Sequence, residues 1–381
     1  MCDKATSVLI QITKTCRERG RDSMRLTKEK KIQHMTELAA YKKKLWKQPQ
    51  LRNLFLELTM ECNERCLHCG SRCGEVTSEL LSVETYQSFL DKIKADFGTE
   101  GIMLSITGGE PLLRPEFFEI MGYAHKLGFH WGMTSNGTLI DETVAKRLEE
   151  CGMSTISVSI DGLPETHDWF RQTPGGYAAA MKGVEALIEN GSFQHVQVTT
   201  VVHKKNLGEL DALYHVLENV DIDSWRILNI EPIGRAESIP ELLLTPKETV
   251  SVLDFIKEKR SQGEPVQYGC CHYLGTEYER EVRDWYFLCN AGIYTASVMA
   301  NGDIGACLDI ERRPELIYGN ILKDDFTEVW KEGFGAFRRN LYEDNAACSA
   351  CKEREFCGGG AFHSWDYEKK RPKMCFKGTL F

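Results

Sequence analysis

From residue 51 onward the chain alternates short apolar runs with longer stretches in which apolar residues return every three or four positions. The runs Leu54–Thr59, Ile102–Thr107, His130–Thr134, Thr155–Ile160, Val196–Val202 and Trp225–Ile230 read as strands. Helical spacing is found at Ser82–Phe97, Pro115–Leu127, Asp141–Cys151, Tyr177–Asn190, Leu207–Asn219 and Thr245–Ser261. Ser82 and Asp141 are good N-caps, and Gly152 and Gly191 fall where helices stop. Six strand–helix units imply an α/β fold with a parallel sheet and right-handed crossovers. Past Gln262 the alternation gives way to a loop-rich, Cys-rich region. The expected organisation is therefore residues 1–50, 51–262 and 263–381.

At 381 residues, 42% of them hydrophobic, the chain can bury a sizeable core in two units. It shows no apolar run of membrane-span length and no signal-peptide core at its N-terminus, so a cytoplasmic, membrane-free protein is expected. In that reducing setting its fifteen cysteines suit metal or cluster ligation better than disulfides. Charge is uneven. Residues 1–50 carry 13 Lys/Arg against 5 Asp/Glu, a net of +8, which leaves −17 on the rest to reach the total of −9. The stretch Arg25–Trp46 reads as a basic docking helix with a sparse apolar face. The acidic remainder argues against nucleic acid as the main partner.

The chemistry concentrates in Cys62-Asn-Glu-Arg-Cys66-Leu-His-Cys69, directly after the first strand. Cysteines spaced by three and two residues can hold one corner of a [4Fe–4S] cubane with three thiolates, leaving its fourth iron open to a small molecule. A structural zinc would need a fourth ligand, and His68 between two thiolates is poorly placed to be one. Thr107-Gly-Gly-Glu-Pro111 follows the second strand, where Gly108 and Gly109 leave room for a close backbone approach.

Together these segments resemble the radical S-adenosylmethionine (SAM) superfamily, whose CxxxCxxC motif carries an aromatic residue or His before its last Cys. The resemblance implies a partial (β/α)6, TIM-like barrel with its site at the strand C-terminal ends. It also implies that Cys62, Cys66 and Cys69 ligate the cluster, with His68 beside it, and that Gly108, Gly109 and Glu110 receive the amino group of SAM. Ser135 and Asn136, in Thr134-Ser-Asn-Gly137, and Ser159 and Asp161, at the end of the fourth strand, map to its ribose and methionine parts. Arg171 maps to the SAM carboxylate, where a bidentate fork fits. Ile230–Ala236 resembles the adenine-side segment more loosely.

The C-terminal region is similar to the SPASM extension, which holds further [4Fe–4S] clusters. On that pattern Cys348, Cys351, Cys357 and Cys375 complete one site; a zinc ribbon is the physical alternative. Cys289 and Cys307 belong to a second site that departs from the pattern, because Ala361 stands where a Cys is usual. Cys270 or Cys271 as a third ligand, an open iron, His363 as a replacement and an absent cluster all stay open, so the count is two or three clusters. Cys2, Cys16, Cys73 and Cys151 read as spare thiols.

The implied function is a radical SAM maturase that generates a 5′-deoxyadenosyl radical and abstracts hydrogen from a ribosomally made peptide or protein, giving a crosslink or an oxidised side chain. A flavodoxin or ferredoxin would supply the electron. A sulfatase-maturating, formylglycine-forming enzyme is the rival. Its general-base Asp directly follows the Cys equivalent to Cys307, whereas here Leu308 takes that place and Asp309 comes one residue later. A non-enzymatic Fe–S redox or scaffold protein is the rival of another class.

Overall fold

The computed structural model describes residues 26–75 and 80–381. A basic helix α1 (Lys28–Lys47) leads into β1 (Asn53–Glu57), α2 (Val83–Phe97), β2 (Met103–Thr107), α3 (Phe117–Leu127), β3 (His130–Ser135), α4 (Glu142–Glu150) and β4 (Met153–Ser159). Then come α5 (Pro164–Arg171), α6 (Gly176–Asn190), β5 (His195–Val202), α7 (Leu210–Leu217), β6 (Ser224–Asn229) and α8 (Pro246–Ser261). All six expected strands form, each within two residues of its expected bounds. Ser82 accepts from Thr85 N at 3.2 Å and Asp141 from Val144 N at 2.8 Å, which starts α2 and α4 as expected. Gly152, at φ +74, follows α4, whereas Gly191 ends α6 in extended backbone. Between β1 and β6 one helix went unread: α5, opened by Pro164 in its first turn, has too few residues to show a period.

β1 to β6 stand in chain order, each parallel to the next, with Leu54 opposite Leu104, Leu104 opposite Trp131, Ile156 opposite Val196 and Val198 opposite Trp225. These residues are almost wholly buried, as both-face burial of a parallel sheet requires. The sheet runs on at both edges into the region read as loops. β7 (Val266–Tyr268) joins β6, β8 (Thr295–Val298) joins β1 in parallel, and β9 (Ile304–Gly305) turns back on β8. The C-terminal region thus continues the barrel's own sheet. Strands of two to four residues carry no usable alternation.

α1 docks on this C-terminal region through buried Met35 and Leu45, with Lys31 on Glu281 at 2.5 Å and Tyr41 on Tyr294 at 3.2 Å. Cys2 and Cys16 lie outside the described residues. Among the described residues no helix is long and apolar enough to cross a membrane.

The loop carrying Cys270, Cys271 and His272 is anchored by Arg283, fully buried with Glu279 at 2.6 Å. Arg283 also donates to the carbonyls of Cys270 (2.8 Å) and His272 (2.6 Å). Arg283→Met would leave the Glu279 carboxylate buried without its cation, at a cost of about 3–5 kcal/mol. The expected readout is a lower thermal midpoint; an unchanged midpoint would show that the pair does not anchor this loop.

Candidate active site

The cysteine loop leaves the C-terminal end of β1 and is closed by Gly74 N on Met60 O at 2.8 Å. Cys62, Cys66 and Cys69 are all half-buried on it. The segment after β6 clamps it from outside. Arg235 N donates to Cys69 O (3.1 Å), and its guanidinium donates to Cys66 O (2.8 Å) and Cys73 O (3.1 Å). Gly234, at φ +59, is required there, since a Cβ would lie 2.4 Å from Cys69 O. Cys73, read as a spare thiol, is buried beneath the loop. Its N–H points at Cys69 Sγ at 3.4 Å and its own Sγ at Gly108 O at 3.3 Å.

The second strand's tip is drawn against this loop. Gly109 N donates to Thr59 O and Glu110 N to Glu61 O, both at 2.8 Å. A Cβ on Gly109 would sit 1.8 Å from Glu61 O, and one on Gly108 2.3 Å from Thr59 O. The close approach these glycines permit is that of the protein's own backbone. Glu110 is fully buried and accepts from Ser135 Oγ (3.0 Å), Asn136 N (2.8 Å) and Leu112 N (3.3 Å). Burial pushes its carboxyl up to about 7. Asn136 closes the circuit by donating to Asn63 Oδ1 at 2.8 Å, back in the cysteine loop.

On the other side, Arg171 ends α5 with its guanidinium buried between two carboxylates. Its Nε and Nη2 lie 2.8 Å from Asp161 Oδ2, and its Nη1 lies 2.7 Å from Glu64 Oε2. Burial alone would raise the Asp161 carboxyl, but Arg171 and the neighbouring imidazoles hold it below the usual range. Glu64 went unsingled in the sequence, where an acidic residue between cysteines reads as solvated. His68 lies flat on Phe170, with ring centroids 4.5 Å apart, and burial keeps it neutral down to about 4. Ser159 sits half-buried at the end of β4.

These residues fit a three-thiolate cluster with a chelating ligand on three counts. The three thiols share one loop, Glu64 Oε1 and His68 Nδ1 are buried without a partner, and Arg171 has five N–H donors to share among two carboxylates and a ligand. The expected SAM-contacting residues thus converge on the strand C-terminal ends, joined by Glu64 and Asn63.

In the C-terminal region, burial and then the neighbouring Cys375 and Cys351 push the Cys348 thiol up, and burial with Cys375, Cys348 and Cys351 pushes up that of Cys357, so the four lie together. Cys271 and Cys289 are within hydrogen-bonding reach, and Cys307 bears electrostatically on both. Cys270 points elsewhere, accepting from Asn229 N at 3.1 Å to cap β6, so the geometry favours Cys271 as the companion thiol. Ala361 is buried. His363 turns its Nε2 to Glu231, 3.3 Å away, beside His272. That contact holds the His363 imidazole protonated up to about 9 against the effect of burial.

Gly109→Ala tests the close approach. Its Cβ must displace the Glu61 carbonyl and crowd Cys62, a backbone overpacking that costs on the order of 3 kcal/mol. The variant should lose both thermal stability and iron retention. Full iron content at wild-type stability would show that the two backbones are not in contact.

The Radical SAM superfamily model matches residues 56–217, and the SPASM iron–sulfur cluster-binding domain matches residues 289–352. The chain is 28% identical to the AdoMet-dependent heme synthase of Methanosarcina barkeri, over 84% of this chain and 95% of that protein. It is 30% identical to the mycofactocin maturase MftC of Mycobacterium ulcerans, over 80% and 81%. In fold it is similar to SuiB of Streptococcus suis bound to S-adenosylmethionine (TM-score 0.68, 18% identity, 87% and 77% covered). It is likewise similar to anSMEcpe with bound AdoMet (TM-score 0.67, 20% identity, 86% and 94% covered). With its cysteine loop, glycine edge and C-terminal cysteines in place, the chain belongs to the radical SAM superfamily, as an enzyme of [4Fe–4S] clusters and S-adenosylmethionine with a SPASM extension.

Proposed function

We propose that the enzyme is a peptide maturase that takes hydrogen from a ribosomally made peptide or protein and leaves a crosslink or an oxidised side chain. The observation that carries the reading is one sheet joining the barrel to the SPASM region through β8 beside β1. That places auxiliary thiols against the same scaffold as the cysteine loop. The 30% identity to a mycofactocin maturase supports the peptide class.

The cluster and SAM, when bound, supply one-electron cleavage of the sulfonium and a carbon radical that abstracts hydrogen. Cys62, Cys66 and Cys69 supply three thiolates and leave the fourth coordination place to the ligand. Gly108, Gly109 and Glu110 present the edge for its amino group, and Arg171, already held by Asp161 and Glu64, offers its remaining N–H donors to the carboxylate. The tips at Ser135, Asn136, Ser159 and Asp161 line the place of the ribose, and flat, neutral His68 stands beside it. Cys348, Cys351, Cys357 and Cys375 would hold one auxiliary cluster, and Cys289, Cys307 and Cys271 a second with an open iron. A flavodoxin or ferredoxin in the cytoplasm is the proposed electron source.

One further reading rests on a specific observation: the match to a heme synthase over 95% of that protein's length. Conversion of an iron tetrapyrrole to heme, with no turnover of peptides encoded beside this chain, would favour it. The formylglycine-forming reading stands lower. Leu308 is buried, and Asp309 lies 3.9 Å from Cys307 Sγ, one residue beyond the expected base.

Two experiments test the proposal. Replacing Cys62, Cys66 and Cys69 together with Ala should remove about four irons per chain and abolish 5′-deoxyadenosine formation; retained formation overturns the site. Total iron near twelve per chain, falling to about eight when Cys271, Cys289 and Cys307 are replaced, is expected of two auxiliary clusters. A wild-type value near eight that ignores those changes would remove the second cluster.

A further inference from the structure

Where β6 ends, three side chains that the SAM chemistry does not use converge. Glu231 lies two residues past the strand, His272 follows the Cys270–Cys271 pair, and His363 lies two residues past Ala361. Their ligand atoms all fall within 4.8 Å of one another. We propose that Glu231, His272 and His363 form a mononuclear site for a divalent transition ion of the zinc class, with an open position at the barrel mouth.

The distances separate this from an ordinary ion pair. Charge-assisted Glu–His hydrogen bonds close to about 2.7–2.9 Å. Here His272 Nε2 stands 3.4 Å from Glu231 Oε1, and His363 Nε2 stands 3.3 Å from Oε2 and 3.4 Å from Oε1. Donors bound tetrahedrally to an ion at about 2.1 Å would themselves be about 3.4 Å apart. His272 Nε2 and Glu231 Oε2 are also buried without a hydrogen-bond partner, although His272 is only 4% exposed. Burial of such atoms is costly unless something occupies the space between them.

The surroundings are those of a metal ligand. Tyr268 Oη lies 3.1 Å from His272 Nδ1, and its hydroxyl also reaches Cys270. Accepting from Nδ1–H while donating to the sulfur, Tyr268 would fix the tautomer that turns the Nε2 lone pair toward Glu231, the usual outer-shell arrangement. Phe376 packs edge-on to the His272 ring at 5.6 Å. One carboxylate and two imidazoles, with His363 giving up its proton as an ion displaces it, carry a single negative charge and suit a borderline divalent cation. Three protein ligands leave a fourth place for water or a substrate oxygen. Three residues further on, Gly234 touches the cysteine loop, so the site stands between that loop and the SPASM cysteines.

The test needs no substrate and is independent of the proposed function. Full-length enzyme with reconstituted clusters is incubated anaerobically with Zn²⁺ and desalted, then analysed for zinc and iron. Zinc is the diagnostic probe, because an N/O site for Fe²⁺ would bind it more tightly. About one zinc per chain is expected beyond the iron, with a zinc-edge absorption shell of N/O at about 2.0–2.1 Å. Glu231→Gln and His363→Gln should each lower zinc affinity at least tenfold while iron content and melting stay at wild-type values. Tyr268→Phe, which removes no ligand, should weaken zinc about 10–100-fold. No retained zinc, zinc unaffected by Glu231→Gln and His363→Gln, or a sulfur shell at about 2.3 Å would each overturn the site.

Discussion

The active site depends on one buried cation. Arg171 lies between Asp161, from the end of β4, and Glu64, from the middle of the cysteine loop, and all three are nearly sealed from water. Two buried carboxylates without that guanidinium would be costly, and the guanidinium without them equally so. The arrangement persists because Asp161 is supported further and the loop carrying Glu64 is tied to α5. Asp161 accepts from Val201 N at 2.7 Å, and the backbone of α5 reaches the loop through Leu67 N on Phe170 O at 2.9 Å. A loop that must present three cysteines is thereby referenced to β4 and β5 as well as to the strand it leaves.

Glu110 does the same from the other side with neutral donors. Ser135 and Asn136 hold it, and Asn136 returns to Asn63, so the loop is gripped at both flanks before any ligand arrives. Burial raises the Glu110 carboxyl toward neutrality, while Arg171 keeps Asp161 ionised. Two carboxyl groups on the same sheet end are therefore pushed in opposite directions, and their environments alone make the difference.

The strands of the barrel and its helices other than α5 were legible because each is long enough to show a period, and the cysteine loop because its spacing is chemical. Four things were not. Glu64 gives no signal, since its burial is made by Arg171, over a hundred residues away. β7, β8 and β9 are too short to alternate, so a region that completes the sheet read as loops. Gly108 and Gly109 were legible as a close approach but not as to what approaches, because the neighbour is backbone from β1's exit, which no side-chain pattern marks. Cys271 over Cys270 was likewise undecidable in one dimension: adjacent residues on an extended segment face opposite ways, and only the capping of Asn229 by Cys270 shows which way each turns.

The sheet continuity gives the SPASM region a fixed address. β8 pairs with β1 from Asn53 to Leu56, and the next residue, Glu57, is fully buried and bonded to Ala300 N at 3.1 Å and to Arg312. The residue that ends β1 before the cysteine loop thus also fixes the turn after β8. Opposite, α1 lays Lys42 among Cys271, Cys289 and Cys357, where burial lowers its ammonium pKa against the pull of those thiols. A cation there opposes the negative charge that thiolate ligation would build up in both auxiliary sites at once. Within α1 the basic side chains thus divide their work: Lys31 pairs with Glu281 and fastens the helix, while Lys42 faces the sulfur atoms of the C-terminal region.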